Sequence, residues 1–160
     1  MNRAELDARL AELGIELQPP KAAIANYVPT VLADSFLHIS GQVAFKDGKP
    51  FALGQVGQVG QEVSIEQAKE AARLSGMAIL SQLRSQLTDD LSVIRVCSVT
   101  GYVHAATEFT EHPEVINGAS EVLVEVLGEK GRHSRAAVGV SSLPFRCPVE
   151  VSAVIQLGKR

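Results

Sequence analysis

Apolar positions recur along this chain at two spacings, and each predicts its own kind of element. Between Asn2 and Leu13, the residues Leu6, Leu10 and Leu13 return every three or four positions, as on one face of a helix. Glu5 and Arg9 lie four apart on the polar side and are expected to pair. Gly14 supplies a C-terminal stop. Gln18-Pro19-Pro20 then reads as an extended linker. Ser64 and Gln67 make a capping box, and Ala68, Ala71, Ala72, Ile79, Leu80, Leu83 and Leu87 continue from it as an apolar stripe. So many alanines predict close packing on a sheet. Pro113 is placed to open another helix, with Val115, Ala119, Val122, Leu123 and Val126 on its apolar side and Gly128 at its end.

Strand-like runs fill the intervals. Ile24 to Val31 is a first candidate, which Pro29 confines to an edge or ends early. Phe36 to Phe45 is a stronger one, followed by a hairpin-type turn at Asp47-Gly48. The Gly-rich repeat from Gly54 to Gln61 reads as a flexible loop; no Gly-Lys-Ser/Thr follows to make it a phosphate loop. Leu91 to Val103 is a long strand. Near the C-terminus, the runs 135–140 and 147–157 flank Ser141-Ser142-Leu143-Pro144 and are predicted to pair with each other. The order helix, two strands, helix, strand, helix, two strands predicts an α+β fold: one mixed sheet with two main helices on one face and an extra N-terminal helix. Residues 1–160 read as a single domain, with 1–20 as an N-terminal helical extension and linker.

Composition narrows the picture. The chain has 160 residues, 46% of them hydrophobic but only 4% aromatic and without Trp, so Val, Leu, Ile and Ala must build the core. A formal net charge of -3 argues against nucleic acid as the main partner, because that role needs a basic face. Cys97 and Cys147 sit in no paired motif, which implies no disulfide framework and points to a reducing, cytoplasmic setting. No apolar run approaches the roughly 20 residues of a membrane span, and Met1 to Leu13 has no continuous apolar core of a signal peptide. The histidines His38, His104, His112 and His133 form no His-x-x-x-His pair and there is no Cys-x-x-Cys, so no metal site is expected. No Gly-x-Ser-x-Gly elbow supplies a nucleophilic serine.

The candidate chemistry lies in the C-terminal runs. Strand alternation puts Arg135 on one face with Ala137 and Gly139. Those small neighbours leave room for a ligand, and a guanidinium grips a carboxylate through two parallel hydrogen bonds. Glu150 has the chemistry to accept a proton or orient a water. On spacing alone, a structural Arg–Glu ion pair at a strand end is the stronger reading, since buried charges are usually paired. Asn117 reads first as a helix cap. His133, two residues before Arg135, is as well suited to the surface as to a pocket.

Resemblance shifts that balance. The run from Arg135 through Val138-x-Val140-x-x-Leu143-Pro144 to Val149-Glu150-Val151 resembles the C-terminal signature of the reactive-intermediate deaminase family, also called the YjgF or Rid family. Asn26-Tyr27 and Ile39-Ser40-Gly41-Gln42-Val43 match two further motifs, and Ile116-Asn117-Gly118-Ala119-Ser120 with Gly131-Arg132-His133-Ser134-Arg135 resemble a longer branch of it. The resemblance implies the chorismate-mutase-like fold, assembled as a homotrimer with pockets between neighbouring subunits. It implies an enamine/imine deaminase that hydrolyses reactive 2-imino acids to 2-keto acids and ammonia. Arg135 would hold the carboxylate and Glu150 would act on the attacking water. Tyr27, Ser40 and Gly41 would line the opening, and Asn117 would have a lesser pocket role. No cofactor is required, because an imine carbon is already electrophilic. In the best-studied branch a cysteine sits two residues after the arginine; here Ala137 stands there and offers only its backbone. The alternatives are a non-catalytic, regulatory binder of small carboxylates and, with less support from the charge and the few aromatics, a ribonuclease or translation inhibitor.

Overall fold

A computed structural model describes residues 1–22, 25–57 and 62–159. Helix α1 spans Arg3–Leu13, strands β1 to β4 span Thr30–Ala33, Phe36–Val43, Phe45–Lys46 and Lys49–Pro50, and α2 spans Ile65–Gln86. Then come β5 (Leu91–His104), α3 (His112–Leu127), β6 (Ser134–Val140) and β7 (Val149–Lys159). Five strands form one sheet in the order β1-β2-β7-β5-β6, and β3 pairs with β4 in a separate small hairpin. Only the β5–β6 pairing is parallel, so the sheet is mixed as the sequence predicts.

The two C-terminal runs are both strands, but they do not pair with each other. β5 lies between them, parallel to β6 and antiparallel to β7. A tight hairpin uses two to five residues. The longer segment from Ser141 to Pro148 includes a 3-10 turn at Pro144–Arg146 and carries the chain past the end of β5. The longest strand thereby takes a central place, with a neighbour on each side.

Other boundaries moved for local reasons. β1 starts only at Thr30, because Pro29 has no N–H to give a ladder. Tyr27 precedes it in a bend, and Ala23 and Ile24 lie outside the described residues. The run from Phe36 to Phe45 divides at Ala44: Phe45 pairs with Pro50 across a turn in which Asp47 and Gly48 have φ of 52° and 77°, as a two-residue hairpin requires. Glu5 closes a capping box with Asn2, while Arg9 donates to Glu12 at 2.8 Å. The Gly-rich repeat is partly anchored: Val56 is fully buried and bridges to Val63 and Ala105. Gln58 to Gln61 lie outside the described residues.

The capping box predicted at Ser64 and Gln67 opens α2. The two main helices cover one face of the sheet, burying Leu37, Ile39, Val99, Val103, Val151, Ile155 and Leu157. α1 joins the same core through Leu6 and Leu10, and Arg84 of α2 clasps Asp7 with two hydrogen bonds. The opposite face carries Phe36, Tyr102, Val138, Glu150 and Val154, with no helix packed across it among the described residues; Phe36 and Val138 are 41% and 42% exposed. No helix is long and apolar enough to cross a membrane among the described residues.

Candidate active site

Arg135 stands at the head of β6, paired in register with Val99. Val99 is buried beneath the helices, so Arg135 points to the helix side, as do Ala137 and Gly139. Helix α3 meets it there. Arg135 Nη1 donates to Asn117 Oδ1 at 2.9 Å and Ser120 Oγ at 3.0 Å, and Nη2 donates to the Pro113 carbonyl at 3.3 Å. Asn117 and Ser120 are three apart on the helix and so share a face. A guanidinium has five N–H donors. Three are used on neutral oxygens, leaving Nε–H and one Nη2–H without a partner among the described residues. No carboxylate neutralises Arg135 among them either; Glu114 and Glu121 are both taken by Lys69, at 3.0 and 3.1 Å. The ion pair that spacing alone favoured is not formed within the chain.

Asn117 is therefore no helix cap. It is the sixth residue of α3 and binds Arg135 with its oxygen while its nitrogen donates to Glu114 at 3.0 Å. His133 packs into the same cluster, with Nε2 3.0 Å from Ser120 Oγ and Nδ1 2.6 Å from the Gly131 carbonyl. Burial foremost, with a smaller push from the Arg135 charge, holds its pKa below 6.5, against the opposite pull of the Gly131 hydrogen bond. Sequence reasoning passed over Ser120. The signal for it is the helical spacing from Asn117.

Glu150 occupies a different place. It pairs in register with Tyr102 and Val43 and points to the uncovered face. A bulge in β2 at Ser40 and Gly41 brings Gly41 against it. A Cβ on Gly41 would overlap Glu150 Oε1, so only glycine leaves the carboxylate where it is. Glu150 has no ion pair or hydrogen bond to its side chain among the described residues, and burial raises its pKa above 4.5. A half-buried carboxylate without a partner has its lone pairs free for a proton or a water. Ser40 does not face a ligand with its hydroxyl; it donates to the Val28 carbonyl at 2.9 Å and ties down the segment that carries Tyr27. Glu150, Gly41 and the 54%-exposed Tyr27 line one cavity of about 490 Å³, walled by Phe45, Met77 and Phe145.

The structure thus brings Tyr27, Gly41 and Glu150 together, and separately Arg135, Asn117 and Ala137. It does not join the two groups. Arg135 is level with Val99 and Glu150 with Tyr102, three positions along β5. With about 3.3 Å per residue and two strand spacings of about 4.8 Å, their Cα atoms are roughly 14 Å apart, with the side chains on opposite faces. Among the described residues, no group of three or more His, Cys, Asp or Glu converges to hold a metal ion.

Comparison with known proteins agrees with this architecture. A family model described as "YjgF/chorismate mutase-like, putative endoribonuclease" matches residues 7–155. Protein TCP17 of Trypanosoma cruzi is 39% identical over 153 residues, covering 94% of this chain and 92% of its own. The crystal structure of Atu1372 from Agrobacterium tumefaciens, a protein of unknown function, superposes with a TM-score of 0.84 at 38% identity, covering 98% of this chain and 94% of its own. RidA from an Antarctic Psychrobacter species shares the fold at a TM-score of 0.56 and 23% identity, over 86% of this chain and 93% of its own. The mixed sheet, its one-sided helices and the matched sequence together make this chain a member of the YjgF/chorismate mutase-like family.

Proposed function

We propose that this protein is an imine deaminase, hydrolysing reactive 2-imino acids to 2-keto acids and ammonia. The observation that carries the reading is the state of Arg135. Its guanidinium is oriented by three neutral oxygens, has no carboxylate partner among the described residues and keeps two donors open, on Nε and Nη2. That arrangement suits a bidentate carboxylate. Glu150 supplies the complementary group: its raised pKa makes it the stronger base, and it takes the proton of a water that attacks the imine carbon. Glu150 returns that proton to the nitrogen, then carries the hydroxyl proton of the tetrahedral intermediate to it as well, so that the C–N bond breaks, the keto carbonyl forms and ammonia leaves with Glu150 ionised again. Tyr27 and the Ser40–Gly41 segment flank the entrance, and the backbone at Ala137 borders the carboxylate. The chemistry calls for no cofactor.

Arg135 and Glu150 are too far apart to serve one substrate within a chain. A second copy resolves this if its Glu150 face approaches the Arg135 edge of the first. The uncovered face with Phe36 and Val138 gives such an assembly an apolar surface to bury. The proposed unit is a homotrimer in the cytoplasm, with each pocket shared by two neighbours. Light scattering at micromolar concentration should return three times the chain mass, and a monomer would end the shared-pocket model.

The decisive experiment couples imine formation in situ to keto-acid release. Wild type should accelerate hydrolysis, and Arg135→Ala should abolish most of the effect. Equal rates for the two would refute the proposal. Binding of a 2-keto acid without any acceleration would instead favour a regulatory carboxylate binder, and salt-dependent RNA binding would favour the ribonuclease described for the family.

A further inference from the structure

Ser120 is the only link between Arg135 and His133 among the described hydrogen bonds, and elementary donor–acceptor chemistry fixes the direction of two of the three bonds in that chain. A guanidinium only donates, so Ser120 Oγ accepts from Arg135 Nη1. Ser120 Oγ keeps its own proton and a second lone pair for His133 Nε2 at 3.0 Å, so the direction of that bond follows the protonation state of the ring. A carbonyl only accepts, so His133 Nδ1 donates to Gly131 O. In the neutral ring the proton therefore sits on Nδ1 and Nε2 accepts from Ser120, and burial with the nearby Arg135 charge favours that neutral state. A protonated ring would reverse the bond to Ser120 and place a second cation beside the guanidinium.

The same chain decides which donors of Arg135 are open. Because Ser120 and Asn117 hold both Nη1 protons and Pro113 holds one on Nη2, the guanidinium keeps Nε–H and one Nη2–H for a ligand. If Ser120 were free to rotate its hydroxyl away, one of those tethers would be lost and the fork would swing on three carbons of flexible stem. We propose that His133, acting through the Ser120 hydroxyl, is a positioning residue that aims the Arg135 fork at the substrate carboxylate. This rests on the carboxylate-binding reading of Arg135 given above. It gives the His-Ser-Arg run from His133 to Arg135 and Ser120 of the Asn117-Gly118-Ala119-Ser120 motif a shared task that spacing along the chain does not reveal.

Two measurements test it. The first needs no ligand. Nitrogen NMR of the imidazole in the ligand-free protein at pH 7 should show the Nδ1–H tautomer for His133, and Ser120→Ala should shift its Nε2 resonance. An Nε2–H tautomer or an imidazolium would overturn the proposal whatever the protein's substrate. The second measures binding of 2-oxobutanoate by calorimetry, beside imine hydrolysis. Ser120→Ala and His133→Phe should weaken binding about 10-fold and raise KM by a similar factor with kcat nearly unchanged, the pattern of a lost interaction made equally in ground and transition states. His133→Gln, which can still accept from Ser120, should restore most of the affinity; a merely space-filling role would be met better by His133→Phe. If both disruptive variants bind like wild type while Arg135→Ala does not, the positioning role is wrong and the carboxylate site stands. If Arg135→Ala also binds like wild type, both fall.

Discussion

Gly41→Ala separates a catalytic demand from a folding demand at one atom. The added Cβ would overlap Glu150 Oε1 and fall 2.7 Å from its Cδ and 3.0 Å from its Cγ. Carbon atoms rest about 3.5–4.0 Å apart, so the carboxylate must retreat by about 1 Å. Gly41 is not among the residues with positive φ, and alanine can take its backbone conformation. The retreat needs a turn about a flexible side-chain bond, which costs about 0.5–1.5 kcal/mol. Restricting the unfolded chain returns about 0.4–1 kcal/mol. The two nearly cancel, leaving at most about 1 kcal/mol, and at about 2–4 °C per kcal/mol for a chain of this size the Tm should move by no more than about 4 °C. Catalysis is less forgiving, because a misplacement of about 1 Å can cost about 100-fold. The expected result is a folded protein whose kcat/KM for a 2-imino acid falls by about two orders of magnitude. Gly101→Ala is the control: its Cβ would run into Ile116, fully buried on α3, where overpacking costs about 1–3 kcal/mol and nothing touches Glu150. That variant should lose stability and keep its specific activity. A Gly41→Ala protein that turns over at the wild-type rate would refute the assignment of Glu150 as the base.

Four further outcomes follow from the same geometry. Glu150→Gln should lower kcat far more than it weakens 2-oxobutanoate binding, since taking a proton belongs to the transition state; an equal loss in both would show a binding role instead. Burial raises the Glu150 pKa in the folded protein, so its ionised form opposes folding above that pKa and the penalty fades as pH falls toward 4.5. Wild-type activity should therefore decline on acidification with a midpoint above 4.5, and Glu150→Gln should melt higher than wild type at pH 7 with the gap closing near pH 4; a gap independent of pH would contradict the burial argument. Arg135→Lys keeps the charge but not the fork, and loss of one charge-assisted hydrogen bond worth about 1.5–3 kcal/mol should raise KM by about 10- to 100-fold; an unchanged KM would mean that charge alone suffices. Replacing Cys97 and Cys147 together by alanine should leave imine hydrolysis largely intact, because burial and the nearby Glu150 charge keep the Cys147 thiol protonated; complete loss in a folded variant would point to a thiol in the mechanism.

Much of the fold is written in short-range pattern. The capping box at Ser64, the apolar stripe of α2, the proline that opens α3 near Pro113 and the Asp47-Gly48 turn each rest on contacts between residues a few positions apart, and each appears where the local rule puts it. Arg135, Ala137 and Gly139 share a face because strand alternation is equally local. Strand order is not local. The runs at 135–140 and 149–157 carry no mark that β5 comes between them, since any apolar strand edge offers the same N–H and C=O groups. That insertion is what separates Arg135 from Glu150 and sends them to opposite faces. The role of Asn117 was hidden for the same reason: near the start of a helix an asparagine favours a cap, and only the packing of α3 over β6 turns its oxygen toward the guanidinium. The sequence by itself determined which elements form and which side chains carry the chemistry. The tertiary structure decided which of them meet, because meeting depends on contacts between residues from 18 apart, as Asn117 and Arg135 are, to more than a hundred apart in the β2–β7 pairing, which no local spacing encodes.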